Sequence, residues 1–480
     1  MKQQRFRFKV IALILFGLFV LLTVYSLYSI NVHGNRWFAY NRNPRIREQK
    51  LNVTAGDIID RNGVVLATTD ADGKRVYQED AAARKAVSQL LGIPTAQNGN
   101  GVEVFQTGYL YGFHATLPEL LKTRFTGSER VGDDLMLTID SRLCTHIASS
   151  FARRSLTRGK NGAAVVMNYK TGEVVAMVTL PGFDPMADGL PAKGAVFINR
   201  VTQVRYPPGS TFKIITAASA LENLPGAAQD TFDCTGTLDV SGQLIHDFGG
   251  TAHGPLTLRE AFAKSCNGTF AALALDLTDA KLQKTAAAFG VGDNFLFRDI
   301  VVENSQYRNE GSGAATAFET AMSGFGQAEI LVTPMHMCLV AAGVANDGVI
   351  MEPTLLRSAL SGTTGRVRDE FTSTVYRTAV KPETAAILQD YMRAVVTGGT
   401  GRQAAVNGLT ICGKTGSAEV ANGDVTHGWF IGYCADEELP FAVAILVENI
   451  GDGQGGGSTA APIAADIFTY LKDNRELVTQ

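Results

Sequence analysis

What this chain of 480 residues lacks narrows it first. There is no internal repeat, and no low-complexity tract beyond the "GDGQGGG" loop at residues 451 to 457, which reads as a flexible connector. Net charge is small, a formal −3 at pH 7 with 45% apolar residues, so the chain is an ordinary globular protein and nucleic acid is not an expected partner. C-x-x-C pairs are missing too. The six cysteines, Cys144, Cys234, Cys266, Cys338, Cys412 and Cys434, lie far apart, and buried thiols without disulfides are expected. Cys234, His246, Asp247 and His253 can be arranged into a zinc set on paper, but the spacing matches no standard ligand pattern, so no metal and no cofactor are expected.

Apolar runs of membrane-spanning length are nearly absent as well. The single one, "VIALILFGLFVLLTVYSLYSI" at residues 10 to 30, carries no charge and suffices to cross a bilayer as a helix. A cleaved signal peptide is the competing reading, but its apolar core is shorter and ends in a small-x-small site, which Tyr25, Leu27 and Tyr28 do not supply. Lys2, Arg5, Arg7 and Lys9 precede the run, and the positive-inside rule then keeps the N-terminus in the cytoplasm. The expected layout is a cytoplasmic tail at 1–9, an anchor at 10–30, a small extended module at 31–135 and one large extracytoplasmic domain at 136–480.

Within the module, "IIDRNGVVLATT" has apolar runs on either side of Arg61-Asn62-Gly63, a hairpin signal. Residues 75 to 130 mix short helical patterns with glycine-rich loops and show little core of their own. Beyond them, "GAAVVMNYKTGEVVAMVTL" reads as a hairpin and a helix-rich middle follows. "LTICGKTGSAEV", "HGWFIGYCA" and "PFAVAILVEN" read as late strands, and "STAAPIAADIFTYLKDN" as a final helix.

The segment "RYPPGSTFKIITAASALENL", residues 205 to 224, carries the first chemical signal. Phe212, Ile215 and Ala218 recur at helical spacing after a Pro-Pro-Gly turn, and Ser210 stands where a cap belongs. Lys213 is the misfit. A capping box places Glu or Gln at that position, because an acidic or amide group complements the positive helix end, whereas a lysine there carries its charge at a cost. Bare S-x-x-K is more often a capping serine followed by a solvated lysine, so context decides.

Two stretches read Lys-Thr-Gly. Lys170-Thr171-Gly172 falls between two apolar strands and is a hairpin tip. Lys414-Thr415-Gly416 falls within a strand, where lysine and glycine are both out of place. "GLTICGKT" also satisfies the nucleotide-binding P-loop pattern, but the intervening residues are β-prone and no helix starts at the Lys-Thr, so a nucleoside triphosphatase is not expected. Between these elements lies Ser265-Cys266-Asn267, flanked by helical patterns.

S-x-x-K, S-x-N and K-T-G in that order resemble the active-site serine penicillin-binding proteins. The likeness extends to "YPPGSTFK", "HGPLTLREAFAKSCNGTF" and "HGWFIGYC", while "GDIIDRNGVVLA" is similar to the start of the N-terminal module in the monofunctional class B members. Ala55 stands where many relatives have arginine, the stretch from 67 to 130 is short for this module, and the segment after Cys234 lacks a second cysteine that often accompanies it. His427 and Trp429 are read as packing residues.

The resemblance implies an α/β (α+β) fold, an antiparallel sheet flanked by helices, and a peptidoglycan D,D-transpeptidase inhibited by β-lactams. It implies Ser210 as nucleophile, Lys213 as base, Ser265 as proton relay and Asn267 as a peptide contact. Lys414 supplies positive potential, Thr415, Gly416 and Ser417 bind substrate, and the backbone N–H groups of Ser210 and Ser417 form the oxyanion hole. Expected partners are stem peptides, β-lactams and a membrane glycan polymerase, since 31–135 is too short for a further enzyme domain of usual size. A D,D-carboxypeptidase shares every motif. A β-lactamase usually lacks the anchor module, a β-lactam sensor carries several spans, and a vestigial scaffold does not need three intact motifs.

Overall fold

The structure is a computed structural model that describes residues 2–38, 48, 50, 52–94, 101–190, 194–420 and 425–478. Helix α1 (Lys2–Phe38) includes a stretch, Phe6–Ser29, long and apolar enough to cross a membrane. It starts earlier than the uncharged run because the helix continues through Arg7 and Lys9. Side chains such as Phe16, Phe19 and Leu21 on it are exposed, which fits a membrane anchor.

A six-stranded sheet follows, in the order Val367–Glu370, Leu356–Leu360, Asp134–Leu137, Ile58–Ile59, Val65–Thr69, Arg75–Tyr77. The hairpin read around Gly63 forms because the Asp60 carboxylate accepts from Asn62 N and Val64 N, both at 2.9 Å, while Gly63 takes φ +82°. The other Asp60 oxygen accepts from Ser141 Oγ at 2.8 Å, which fixes the hairpin to helix α2 (Ser141–Arg153). Ile58, Leu66 and Leu135 are fully buried. These residues belong to one core shared with the large domain, and their sheet is completed by strands that come much later in the chain.

The sheet that positions the site has strands β1 (Gly162–Asn168), β2 (Val174–Leu180), β3 (Ile411–Val420), β4 (Val425–Cys434) and β5 (Phe441–Val447). Every neighbouring pair is antiparallel, in the order β3-β4-β5-β1-β2. All residues of β5 are buried, so both faces of the sheet are covered. Helix α2 packs with the helix Ala461–Asp473 as one group, and Pro334–Ala345 packs with Pro382–Thr397 as the other. Residues 411–420 form a single strand with no loop before Lys414, which leaves no phosphate-cradling P-loop there.

Candidate active site

Ser210 sits in a 3-10 turn, Gly209–Phe212, and Lys213 opens helix α3 (Lys213–Asn223). The cap position expected for Ser210 is therefore corrected: Phe212 occupies it, with no side-chain cap bond. Two prolines and Gly209 at φ +52° tighten the chain before the helix can start. The pairing survives the correction, because residues three apart eclipse on a 3-10 turn, and Ser210 and Lys213 share a face.

Lys213 is fully buried. Its Nζ donates to Ser265 O at 2.6 Å and Asn267 Oδ1 at 2.8 Å, and lies 3.2 Å from Ser265 Oγ. Burial pushes its pKa from 10.5 down to about 7. A neutral amine has two N–H groups, which these two acceptors use, and one lone pair left over. Among the described residues Ser210 Oγ makes no hydrogen bond, and the residue lines the cleft.

Ser265 ends the helix Leu258–Lys264 in the left-handed region, φ +64°, an unusual place for a residue with a side chain. The strain places its Oγ between two amines, since Lys414 Nζ donates to it at 2.9 Å. Lys414 itself is fully buried in β3, and its pKa is held well below the ordinary lysine value, first by burial and then by Lys213. Cys266 caps the helix Asn267–Leu277. Asn267 Nδ2 donates to His246 O at 2.9 Å, which orients the amide so that its oxygen faces Lys213.

Next to Lys414, Thr415 Oγ1 shares a hydrogen bond of 2.6 Å with Thr400 Oγ1, and Ser417 is half-buried. A cleft of about 890 Å³ is lined by Ser210, Ser265, Asn267, Thr415, Gly416 and Ser417. The structure thus brings the sequence-selected residues to one cleft, with the two lysines beneath it. Gly416 is tightly packed: a Cβ there would lie 3.0 Å from both Pro208 O and Thr211 Cγ2.

Sequence reasoning missed what holds the Pro-Pro-Gly turn. Trp429 is buried and its Nε1 donates to Pro207 O at 3.1 Å, while Tyr206 Oη donates to Glu448 Oε1 at 2.7 Å. His427 is buried and accepts from Asn449 N through Nδ1, in keeping with a packing role. Behind Ser265 the structure brings together side chains that the sequence places far apart. Spacing argued against a metal set, yet the side chains of Cys234, Asp247 and His253 converge with that of Cys266, their donor atoms all within 4.8 Å of one another. Linear spacing misleads here because the donors come from separate segments. His246 points elsewhere, its Nδ1 3.3 Å from Thr237 Oγ1. The sequence already offered Cys234, Asp247 and His253 together; Cys266, inside the S-x-N, is the member it did not offer.

The family profile described as "Penicillin binding protein transpeptidase domain" matches residues 162–469. The chain belongs to the penicillin-binding protein transpeptidase family. It is 31% identical over 460 residues to peptidoglycan D,D-transpeptidase PbpA of Mycolicibacterium smegmatis, spanning 90% of this chain and 92% of that one. Stage V sporulation protein D of Bacillus subtilis is 31% identical over 353 residues, 70% of this chain and 53% of that protein. Among solved structures, the ceftriaxone acyl-enzyme complex of penicillin-binding protein A from M. tuberculosis superposes with a TM-score of 0.78 at 26% identity, covering 88% of this chain and 98% of that one. The penicillin G acyl-enzyme complex of the same protein superposes with a TM-score of 0.76, also at 26% identity, covering 87% and 99%.

In this penicillin-binding fold the tight turn before the serine is a testable element. A Cβ on Gly209 would meet Ser417 O at 2.8 Å, on top of the positive φ. Gly209→Ala is expected to destabilise the fold by about 1–3 kcal/mol and to slow acylation. A lowered denaturant midpoint at unchanged slope checks the first effect, and the rate of penicillin capture checks the second.

Proposed function

We propose that this chain is a peptidoglycan D,D-transpeptidase, anchored by α1 with its N-terminus in the cytoplasm and its catalytic domain, residues 136–480, outside. The observation that carries the reading is the convergence of two buried lysines on Ser265 directly beneath the serine that opens the cleft. Ser210 Oγ attacks the carbonyl of the D-Ala-D-Ala bond as Lys213 takes its proton. The oxyanion forms against the backbone N–H groups of Ser210 and Ser417. Ser265 relays the proton to the departing D-Ala nitrogen, and the C–N bond breaks. Asn267 holds the donor peptide, Lys414 draws its terminal carboxylate, and Thr415, Gly416 and Ser417 line the bound strand. An amine from a second stem peptide then attacks the ester carbonyl and gives its proton to Lys213; the ester C–O bond breaks, Ser210 Oγ takes the proton back, and the cross-link is closed.

Residues 31–135 act as a pedestal. Their strands share a sheet with Leu356–Leu360 and Val367–Glu370, which supports a structural part and not a second enzyme, so the glycan strands come from a separate membrane polymerase. The test is incubation of the full chain in detergent with a D-Ala-D-Ala pentapeptide donor and an acceptor stem peptide. D-Ala release with a cross-linked product is expected. Release with only trimmed tetrapeptide would make the protein a carboxypeptidase, and no release would overturn the reading.

The pH dependence follows from Lys213. Only the neutral amine can accept a proton, and burial holds the pKa at about 7, so capture of benzylpenicillin is expected to level off above about pH 7. Below that it falls roughly tenfold per pH unit as the amine protonates. Stopped acylation reactions across pH 5–9 read this out, on the order of the range over which such a base titrates.

A further inference from the structure

We infer that the helix Leu117–Thr126 is a second membrane contact, lying in the lipid headgroup surface with Leu117, Leu121 and Phe125 turned into the bilayer. The helix is amphipathic in an inverted sense. At 3.6 residues per turn, Leu117, Leu121 and Phe125 align on one face, and Glu119 and Thr123 on the opposite one. An ordinary surface helix buries its apolar set. Here Leu117 is 69%, Leu121 44% and Phe125 86% exposed, whereas Thr123 is buried and Glu119 half-buried. The polar face is locked inward. Glu119 Oε1 accepts from Ser361 Oγ at 2.7 Å and from Arg368 Nη2 at 3.0 Å, and Arg368 Nε also pairs with Asp133 Oδ2 at 2.8 Å. Glu119 Oε2 accepts from Thr116 N at 2.6 Å to close a capping box, Pro118 stands in the first turn, and Gly127 at φ +64° ends the helix. Caps and ion pairs therefore hold the apolar stripe outward.

What covers the stripe follows from where the helix stands. The apolar stretch of α1 ends at Ser29, which is buried, and α1 lies against the short helices Val102–Phe105 and Thr107–Leu110, so the module begins where the bilayer stops. Only the turn from Tyr111 to Thr116 separates those helices from Leu117–Thr126. On its other side, Thr54 N, in the chain returning from the anchor, donates to Arg130 O at 2.9 Å, just beyond the helix. Lys122 and Arg124, both exposed, flank the stripe, where their charges meet anionic headgroups while the leucines and phenylalanine enter the acyl boundary. A helix of 10 residues is about 15 Å long, too short to span a bilayer and suited to lie in its surface. One anchor helix alone leaves a large domain free to swing. A second contact removes that freedom and sets the height and tilt of the cleft that holds Ser210 above the membrane. The inference rests on α1 as the anchor and is independent of the chemistry in the cleft.

The test uses the full-length chain in nanodiscs of phosphatidylcholine and phosphatidylglycerol, labelled with an environment-sensitive fluorophore at Leu121→Cys or, separately, at Phe125→Cys. All six native cysteines are buried, so labelling of the folded chain is confined to the introduced thiol. Lipids carrying a nitroxide near the top of the acyl chain are expected to quench at least about half of the emission at both positions, and aqueous iodide less than about a tenth. Adding Leu117→Glu to the Phe125-labelled chain is expected to lower the nitroxide quenching at least about threefold with an unchanged circular dichroism spectrum, since that side chain supports no packing in the fold. Quenching by iodide and not by nitroxide would overturn the contact, because the face would then be open to water. Protection from both quenchers would overturn it as well, by showing that protein, a second copy of this chain included, covers the stripe. Loss of the chain from the nanodiscs would overturn the anchor and this contact with it, a failure distinct from either quenching result. None of these readouts depends on whether Ser210 acylates, so the contact is tested separately from the proposed activity.

Discussion

Lys213→Met is expected to lower the rate of acylation by benzylpenicillin at least about a thousandfold while leaving the folded chain intact. The two effects have different origins. Catalysis loses the base, and no neighbour replaces it, since Lys414 Nζ is committed to Ser265 Oγ and Thr415 O, each at 2.9 Å. Stability gains and loses at once. Methionine removes a fully buried amine, but Ser265 O and Asn267 Oδ1 lose their donor, at about 1–3 kcal/mol for each buried acceptor left unpaired. The balance depends on pH in a definite sense. The unfolded chain holds the Lys213 proton below its ordinary 10.5, whereas the native chain holds it only below about 7. Between those values unfolding takes up a proton, so wild-type stability from this group grows as pH rises and is smallest at and below about pH 7. Denaturant titrations are therefore expected to favour the methionine variant most near neutral pH, where capture of the drug is almost lost.

Ser210→Ala is expected to abolish covalent capture altogether at a stability change under about 1 kcal/mol. The hydroxyl makes no hydrogen bond among the described residues and the side chain is half-buried, so little native structure depends on it. Reversible occupancy of the cleft by the drug persists, because the cleft's other polar groups do not rely on that oxygen. Competition with a fluorescent penicillin, followed by washing, distinguishes the two: signal that survives denaturation in the wild type and none in the variant. A large drop in the unfolding midpoint would instead mean that Ser210 supports the turn.

Much of this was legible in the sequence because misfits are informative. A lysine at a helix start, and a lysine and glycine inside an apolar strand, were the two places where local rules failed, and both lead into the cleft. The hairpins of the central sheet were legible from apolar runs around turn residues. The 3-10 turn was not, because helical periodicity from Phe212 onward does not report how the preceding turn hands the chain to the helix. The six-stranded sheet was illegible for a topological reason: Asp134–Leu137 pairs with Leu356–Leu360, and local composition cannot announce a partner so distant in sequence. Likewise Cys266 meets Cys234 only because the segment through Asp247 and His253 folds back beside it.

The measurement to make is the intact mass of the full-length chain in detergent after incubation with benzylpenicillin, followed by peptide mapping. One drug mass added per chain, stable over the incubation and located on the peptide containing Ser210, is the predicted result. An unmodified chain beside intact drug, or beside consumed drug, would contradict it, the first denying an active serine and the second indicating hydrolysis of the β-lactam in place of cross-linking chemistry.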